Sequence, residues 1–130
     1  LKTLNPIAVT RKNPREDLKT VLREGAERLK NGVSVVVFPQ AVRSPVFNPD
    51  DFNTLGVKLA KSADVPIVPL ALKTDAWGTG KILRDFGKID PSKNMYLSFG
   101  EPLRIEGRGT EEHKKIVAFI SDKLKGWSGK

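Results

Sequence analysis

Gly32-Val33-Ser34-Val35-Val36-Val37-Phe38-Pro39-Gln40-Ala41-Val42-Arg43-Ser44 is the stretch that decides the fold. Residues 33–38 are apolar apart from Ser34, rich in β-branched side chains, and halted by Pro39. They read as a strand buried on both faces that runs into a polar loop. In open α/β sheets ligands sit just beyond the carboxyl ends of strands. Pro39, Gln40, Arg43 and Ser44 are therefore candidates for a binding loop. A second apolar segment, Val65-Pro66-Ile67-Val68-Pro69-Leu70-Ala71-Leu72, follows after one helix-sized interval.

Outward from these segments the chain alternates strand and helix signals. Ile7-Ala8-Val9 is a short strand candidate ending at Thr10-Arg11-Lys12. Asn13-Pro14-Arg15-Glu16 has the residues of a helix start: an Asn cap, Pro at the first helical position and Glu three residues after the cap. Leu18, Val21, Leu22, Ala26 and Leu29 continue at helical spacing, and Gly32 supplies a stop. Asn48-Pro49-Asp50-Asp51 repeats the start signal before a stripe of Phe52, Leu55, Leu59 and Ala60. The order β-α-β-α-β predicts an α/β fold with a largely parallel or mixed sheet flanked by helices. Pro66 and Pro69 call for an edge position or a bulge within 66–72. Residues 73–94 read as loop, with one helical turn near 82–86. Met95, Leu97 and Phe99 alternate with Tyr96 and Ser98 as a half-buried strand. Thr110-Glu111-Glu112 caps a last helix with the stripe Ile116, Val117, Ile120 and Leu124.

At 130 residues the chain is expected to be a single domain spanning 1–130. Its 38% hydrophobic content marks a folded chain rather than a disordered one. A net charge of +8 and a pI near 9.9 favour anionic partners: phosphorylated small molecules, acidic lipid or nucleic acid. Much of the excess is early, since residues 1–31 hold eight Lys/Arg against four Asp/Glu. With no cysteine, disulfides and thiolate metal sites are excluded. No run reaches the roughly 18–20 apolar residues of a membrane-spanning helix. No signal peptide is seen and the chain opens on Leu1, which leads us to expect part of something longer.

Three segments together resemble the glycerolipid (PlsC-type) acyltransferase family. Phe38-Pro39-Gln40-Ala41-Val42-Arg43-Ser44 resembles its third block, usually Phe-Pro-Glu-Gly-Thr-Arg-Ser. Ile7-Ala8-Val9-Thr10-Arg11 resembles the second block, a strand ending in Arg. Val65-Pro66-Ile67-Val68-Pro69-Leu70 resembles the fourth. Order and separations match, over about residues 7–105. The resemblance implies a partial glycerolipid-acyltransferase fold, with 1–130 the C-terminal part of the domain. It implies that Arg11 and Arg43 hold the phosphate of a lysophosphatidate or glycerol 3-phosphate acceptor, while position 40 seats the glycerol. Arginine suits that task because its planar guanidinium donates two parallel hydrogen bonds to one phosphate. Gln40 keeps an acceptor oxygen where the family has a charged Glu, and Val42 lacks the hydroxyl of Thr. Lys73, at a strand end after the fourth block, is a third candidate for the same anion. For Arg43 the alternative is an ion pair with a nearby carboxylate; for Ser44, a turn or cap.

The family's chemistry rests on its first block, Asn-His followed by four residues and Asp, where His is the general base that lets a hydroxyl attack a thioester. Here the sole histidine is His113, with Ala118 where that Asp belongs. We therefore expect no catalytic residue in this chain, the dyad to precede residue 1, and the chain to be inactive alone. The expected role is part of a phospholipid-biosynthesis acyltransferase that draws its acyl group from acyl-CoA or acyl-ACP as cosubstrate. No other cofactor and no metal are expected. The enzyme is expected at the cytoplasmic face of a membrane, peripheral or anchored through the missing N-terminal part. Self-association through an exposed sheet edge is expected as well, and nucleic acid is not an expected partner. The alternative reading is a non-enzymatic basic module that binds a polyanion or lipid. Gly78-Thr79-Gly80-Lys81 lacks the spacing of a phosphate loop. Trp77 reads as a packed loop residue, and Lys114, Lys115, Lys123 and Lys125 as the solvated face of the last helix.

Overall fold

The structure, a computed structural model, describes residues 5–40, 44, 46–78 and 87–129. Its elements run α1 (Pro14–Lys30), a 3-10 turn (Pro49–Asp51), α2 (Leu55–Ala63), β1 (Leu70–Lys73), β2 (Tyr96–Phe99) and α3 (Thr110–Gly126). Helices and strands are mixed, as expected of an α/β chain. The helical turn expected near 82–86 lies outside the described residues.

Local chemistry fixes the helix ends. Asn13 caps α1, its Oδ1 accepting from the amides of Arg15 (3.2 Å) and Glu16 (3.4 Å), with Pro14 at the first position. Glu16 and Asp17 in the first turn and Arg28 and Lys30 in the last complement the helix dipole. Asn48-Pro49 starts only the 3-10 turn. Asn48 Oδ1 accepts from the Asp50 amide at 3.2 Å, and the backbone then returns to extended geometry at Phe52. Helix α2 begins seven residues after Asn48, where Asn53 Oδ1 accepts from the Leu55 amide at 3.0 Å. Gly25 lets α1 approach α2 closely, since a Cβ there would lie 2.9 Å from both Leu59 methyls.

The sheet differs from the parallel arrangement read from the sequence. Among the described residues it is one antiparallel pair, β1 with β2, in the register Leu70↔Phe99, Ala71↔Ser98, Leu72↔Leu97 and Lys73↔Tyr96. Pro69 has no N–H to give a ladder, so β1 starts after it, and its carbonyl accepts from the Gly100 amide at 2.8 Å. Pairing resumes at Ile67↔Leu103 through two 2.8 Å bonds. Three steps from Ile67 to Leu70 face four from Phe99 to Leu103, so the extra residue of this bulge lies on the partner segment and not within 66–72. Residues 7–9 and 33–38 are not assigned to a strand and join no described ladder.

One face of this pair carries the core. Ala71, fully buried, meets Val57 of α2 and Ile116 and Ile120 of α3, with Phe47, Phe52, Ile67, Leu103, Ile105, Phe119, Leu124 and Trp127 around them. Because strand side chains alternate, Ser98, Lys73 and Tyr96 share that face, and Leu70, Leu72, Leu97 and Phe99 take the other. That second face is exposed, Leu97 at 56% and Phe99 at 66%. Val36 and Phe38 of the apolar 33–38 segment are exposed too. The Met95/Leu97/Phe99 alternation therefore marks an apolar surface without a cover among the described residues, while the more polar Tyr96 and Ser98 turn inward.

Helix α3 starts one residue earlier than its Thr-Glu-Glu signal suggests. Gly109 is the N-cap, at φ +78°, and makes no side-chain cap bond. A Cβ at Gly109 would collide with the Val57 Cγ1 methyl and stand 3.0 Å from Ile105 Cγ2. Gly109→Ala is expected to lower stability by about 2–5 kcal/mol, from the left-handed backbone and the overpacking together. Chemical denaturation of both proteins measures this, and an unchanged midpoint would contradict the packing described here.

Candidate anion-binding site

The candidate site is built at two places in the fold. The first is the turn leading into α1. Arg11 adopts φ +58°, a region that residues with a Cβ rarely occupy. Asp17, in the first turn of α1, holds it there. Asp17 Oδ1 accepts from the Thr10 amide (2.8 Å) and the Thr10 hydroxyl (3.0 Å), and its Oδ2 accepts from the Arg11 amide (2.8 Å). The Arg11 side chain is exposed, and its guanidinium makes no ion pair among the described residues. The Thr10 amide above all pulls the Asp17 carboxyl below the usual carboxylate range; burial opposes it, and the Thr10 hydroxyl and Arg11 amide add to the lowering.

The second place is the loop after residues 33–38. The Pro39 carbonyl accepts from the Asn53 amide at 3.2 Å and from the Asn53 side-chain amide, which ties the loop to the start of α2. Gln40 is half-buried. Ser44 is exposed, and its Oγ accepts from the Val46 amide at 3.2 Å in a local turn. Arg43, with Ala41 and Val42, lies outside the described residues.

Lys73 faces elsewhere. It shares the α3 side of the sheet, where its Nζ donates to the Trp127 carbonyl at 2.8 Å and sits 3.8 Å from Asp75 Oδ2. The Tyr96 ring lies 5.7 Å from that nitrogen and stacks on Trp127, ring centroids 5.5 Å apart. Lys73 thus caps the C-terminal end of α3, an electrostatic use of a cation there. No hydrogen bond or ion pair among the described residues joins Arg11 to Gln40, Ser44 or Lys73. The His113 ring centroid lies 5.7 Å from that of Phe52, and its buried Nδ1 has no hydrogen-bond partner among the described residues. Among the described residues no three His, Cys, Asp or Glu side chains gather as a metal site, and no helix is long and apolar enough to cross a membrane.

Comparison with known proteins adds one relative. The 1-acyl-sn-glycerol-3-phosphate acyltransferase of Pseudomonas aeruginosa is 28% identical over 127 residues, which is 98% of this chain. That homologue supports a PlsC-like acyltransferase family. The chain spans 46% of the relative's own length. No family model and no solved structure matches.

Asp17 is the residue that motif reading passes over. Its signal was present as an acidic residue in the first turn of α1, six positions after Arg11, but that position ordinarily marks only a helix start. Because its folded pKa is depressed, its carboxylate stabilises the turn above the unfolded value of about 3.9, and that contribution is lost as pH falls through the lower folded value. An acid titration followed by NMR is expected to move the Thr10 and Arg11 amides together below about pH 4 and leave them still between pH 5 and 7. A common transition above pH 5 would contradict the three bonds.

Proposed function

We propose that this chain is part of a glycerolipid acyltransferase and supplies the region that grips the acceptor's phosphate. The observation that carries the reading is the ordered set of three blocks, together with the 1-acyl-sn-glycerol-3-phosphate acyltransferase relative that aligns over 98% of the chain. Arg11 and Arg43 bind the phosphate. Pro39, Gln40 and Ser44 shape the acceptor loop. The acyl group comes from acyl-CoA or acyl-ACP, and transfer to the lysophosphatidate or glycerol 3-phosphate hydroxyl takes place at the cytoplasmic face of a membrane.

The Arg11 guanidinium, exposed and without an ion pair among the described residues, supports this role, because a phosphate could take up its donors without first breaking such a pair. Lys73 contributes less than its position at a strand end implied, since the Trp127 carbonyl and Asp75 already engage its ammonium. His113 is no general base here. It stands in the first turns of α3, packed on Phe52, with Ala118 five residues on. The isolated chain therefore lacks a group to deprotonate the acceptor hydroxyl and is inactive alone.

The net charge of +8 keeps a polyanion-binding module as the competing reading. Titration of the full chain with lysophosphatidate and with duplex DNA separates the two. Arg11→Ala and Arg43→Ala are each expected to weaken lysophosphatidate binding about tenfold or more and to leave DNA binding nearly unchanged. Equal loss for both ligands, with a steep salt dependence, would favour the polyanion module. Acyl transfer from acyl-CoA or acyl-ACP by residues 1–130 alone would contradict the inactive-chain reading.

Self-association follows from the same architecture. The Leu70/Leu72/Leu97/Phe99 face and the open edges of the β1–β2 pair favour docking of a second copy. Light scattering is expected to show apparent mass rising with concentration, and Leu97→Lys to suppress the rise. A concentration-independent monomer mass would count against it.

A further inference from the structure

Resting on the acceptor-phosphate reading of Arg11, we infer that Asp17 is a positioning residue of the anion site, acting through the Arg11 backbone. Three donors converge on this one carboxylate: the Thr10 amide at 2.8 Å, the Thr10 hydroxyl at 3.0 Å and the Arg11 amide at 2.8 Å. The amides on either side of Thr10, its own and that of Arg11, are thereby clamped to a single rigid group. Asp17 is itself fixed, since its own amide bonds to the Asn13 carbonyl at 2.9 Å within the capped first turn of α1. The clamp has a specific product: Arg11 at φ +58°, a conformation held only where the surroundings over-determine it.

The same bonds decide the electrostatics. A carboxylate beside an arginine would ordinarily form a two-pronged pair with its guanidinium and quench it. Here both Asp17 oxygens are spent on main-chain and hydroxyl donors, and the Arg11 guanidinium is left exposed without an ion pair among the described residues. Asp17 thus directs the arginine without neutralising it. A merely structural cap would serve as well with Arg11 in any conformation, and that difference can be measured.

The test is a double-mutant cycle on the full chain, with sn-glycerol 3-phosphate as the probe, alongside each variant's melting temperature. Asp17→Asn keeps one acceptor oxygen and loses the other. It is expected to weaken probe binding about tenfold, as Arg11→Ala does, and to add nothing further in the Arg11→Ala background. Asp17→Asn that lowers the melting temperature while leaving the affinity intact would overturn the inference. So would an equal loss of affinity in both backgrounds. If Arg11→Ala binds as the parent does, the phosphate reading itself fails, an outcome distinct from failure of the Asp17 clamp. Should Asp17→Asn not fold, Thr10→Val removes a single bond of the three. A smaller loss of affinity in the same direction is then expected, and unchanged affinity would overturn the inference.

Discussion

The contact of α3 with the inner face of the β1–β2 pair is the constraint on which the rest depends. Ala71 is the pivot, fully buried and small enough to let Ile116 and Ile120 settle against the strand beside Val57. Both ends of the helix are tied down. At its start Gly109 packs under Val57, and the Glu112 carboxylate accepts from the Glu106 amide at 3.1 Å. At its end Lys73 reaches the Trp127 carbonyl while Tyr96 stacks on the Trp127 ring. Two consequences follow. Lys73 is committed to the helix, and no described residue covers the opposite sheet face, where Leu72, Leu97 and Phe99 are exposed.

An uncovered apolar face on an antiparallel pair is costly in water, and single hydrophobic residues on surfaces are not. Here the exposed Leu72 and Leu97 are cross-strand neighbours, and exposed Phe99 pairs with half-buried Leu70, so they form a patch rather than a scatter. Phe38 and Val36 add to the exposed apolar surface from the segment that precedes the candidate loop. Strand-like composition without a described ladder at 33–38 has the same physical meaning. The side chains suit a doubly covered strand, but no described partner strand meets them, and only Val35 and Val37 are half-buried, Val37 near Gly56 of α2.

What the sequence made legible was local chemistry. Asn13-Pro14 placed the start of α1 and the Ile116/Ile120 spacing gave the buried stripe of α3, because each depends on neighbours in the chain. The misreadings were of tertiary origin. Asn48-Pro49 carries the same signal as Asn13-Pro14, yet Phe52 turns extended to pack against Phe47 and His113, and α2 is postponed to Leu55. Strand alternation located two faces at Met95–Phe99 but could not say that α3 would choose the Tyr96/Ser98 side. At the candidate site, Arg11 was nominated from its block, whereas the Asp17 clamp came to light only with the left-handed turn that brings the Thr10 and Arg11 amides onto one carboxylate. Lys73 stands at a strand end as read, and its contacts with the Trp127 carbonyl and Asp75 needed the packing of α3 to be seen.

The central claim is that a phosphate-bearing acceptor is received at the turn before α1, with the Arg11 guanidinium as its first contact. The most direct measurement is an NMR titration of the full chain with lysophosphatidate below its micelle concentration, observing arginine side-chain Nε–H signals. The account predicts a saturable shift of the Arg11 Nε–H accompanied by the Thr10 and Arg11 amides. Shifts confined to the α3 lysines Lys114, Lys115, Lys123 and Lys125, with Arg11 unmoved, would contradict it.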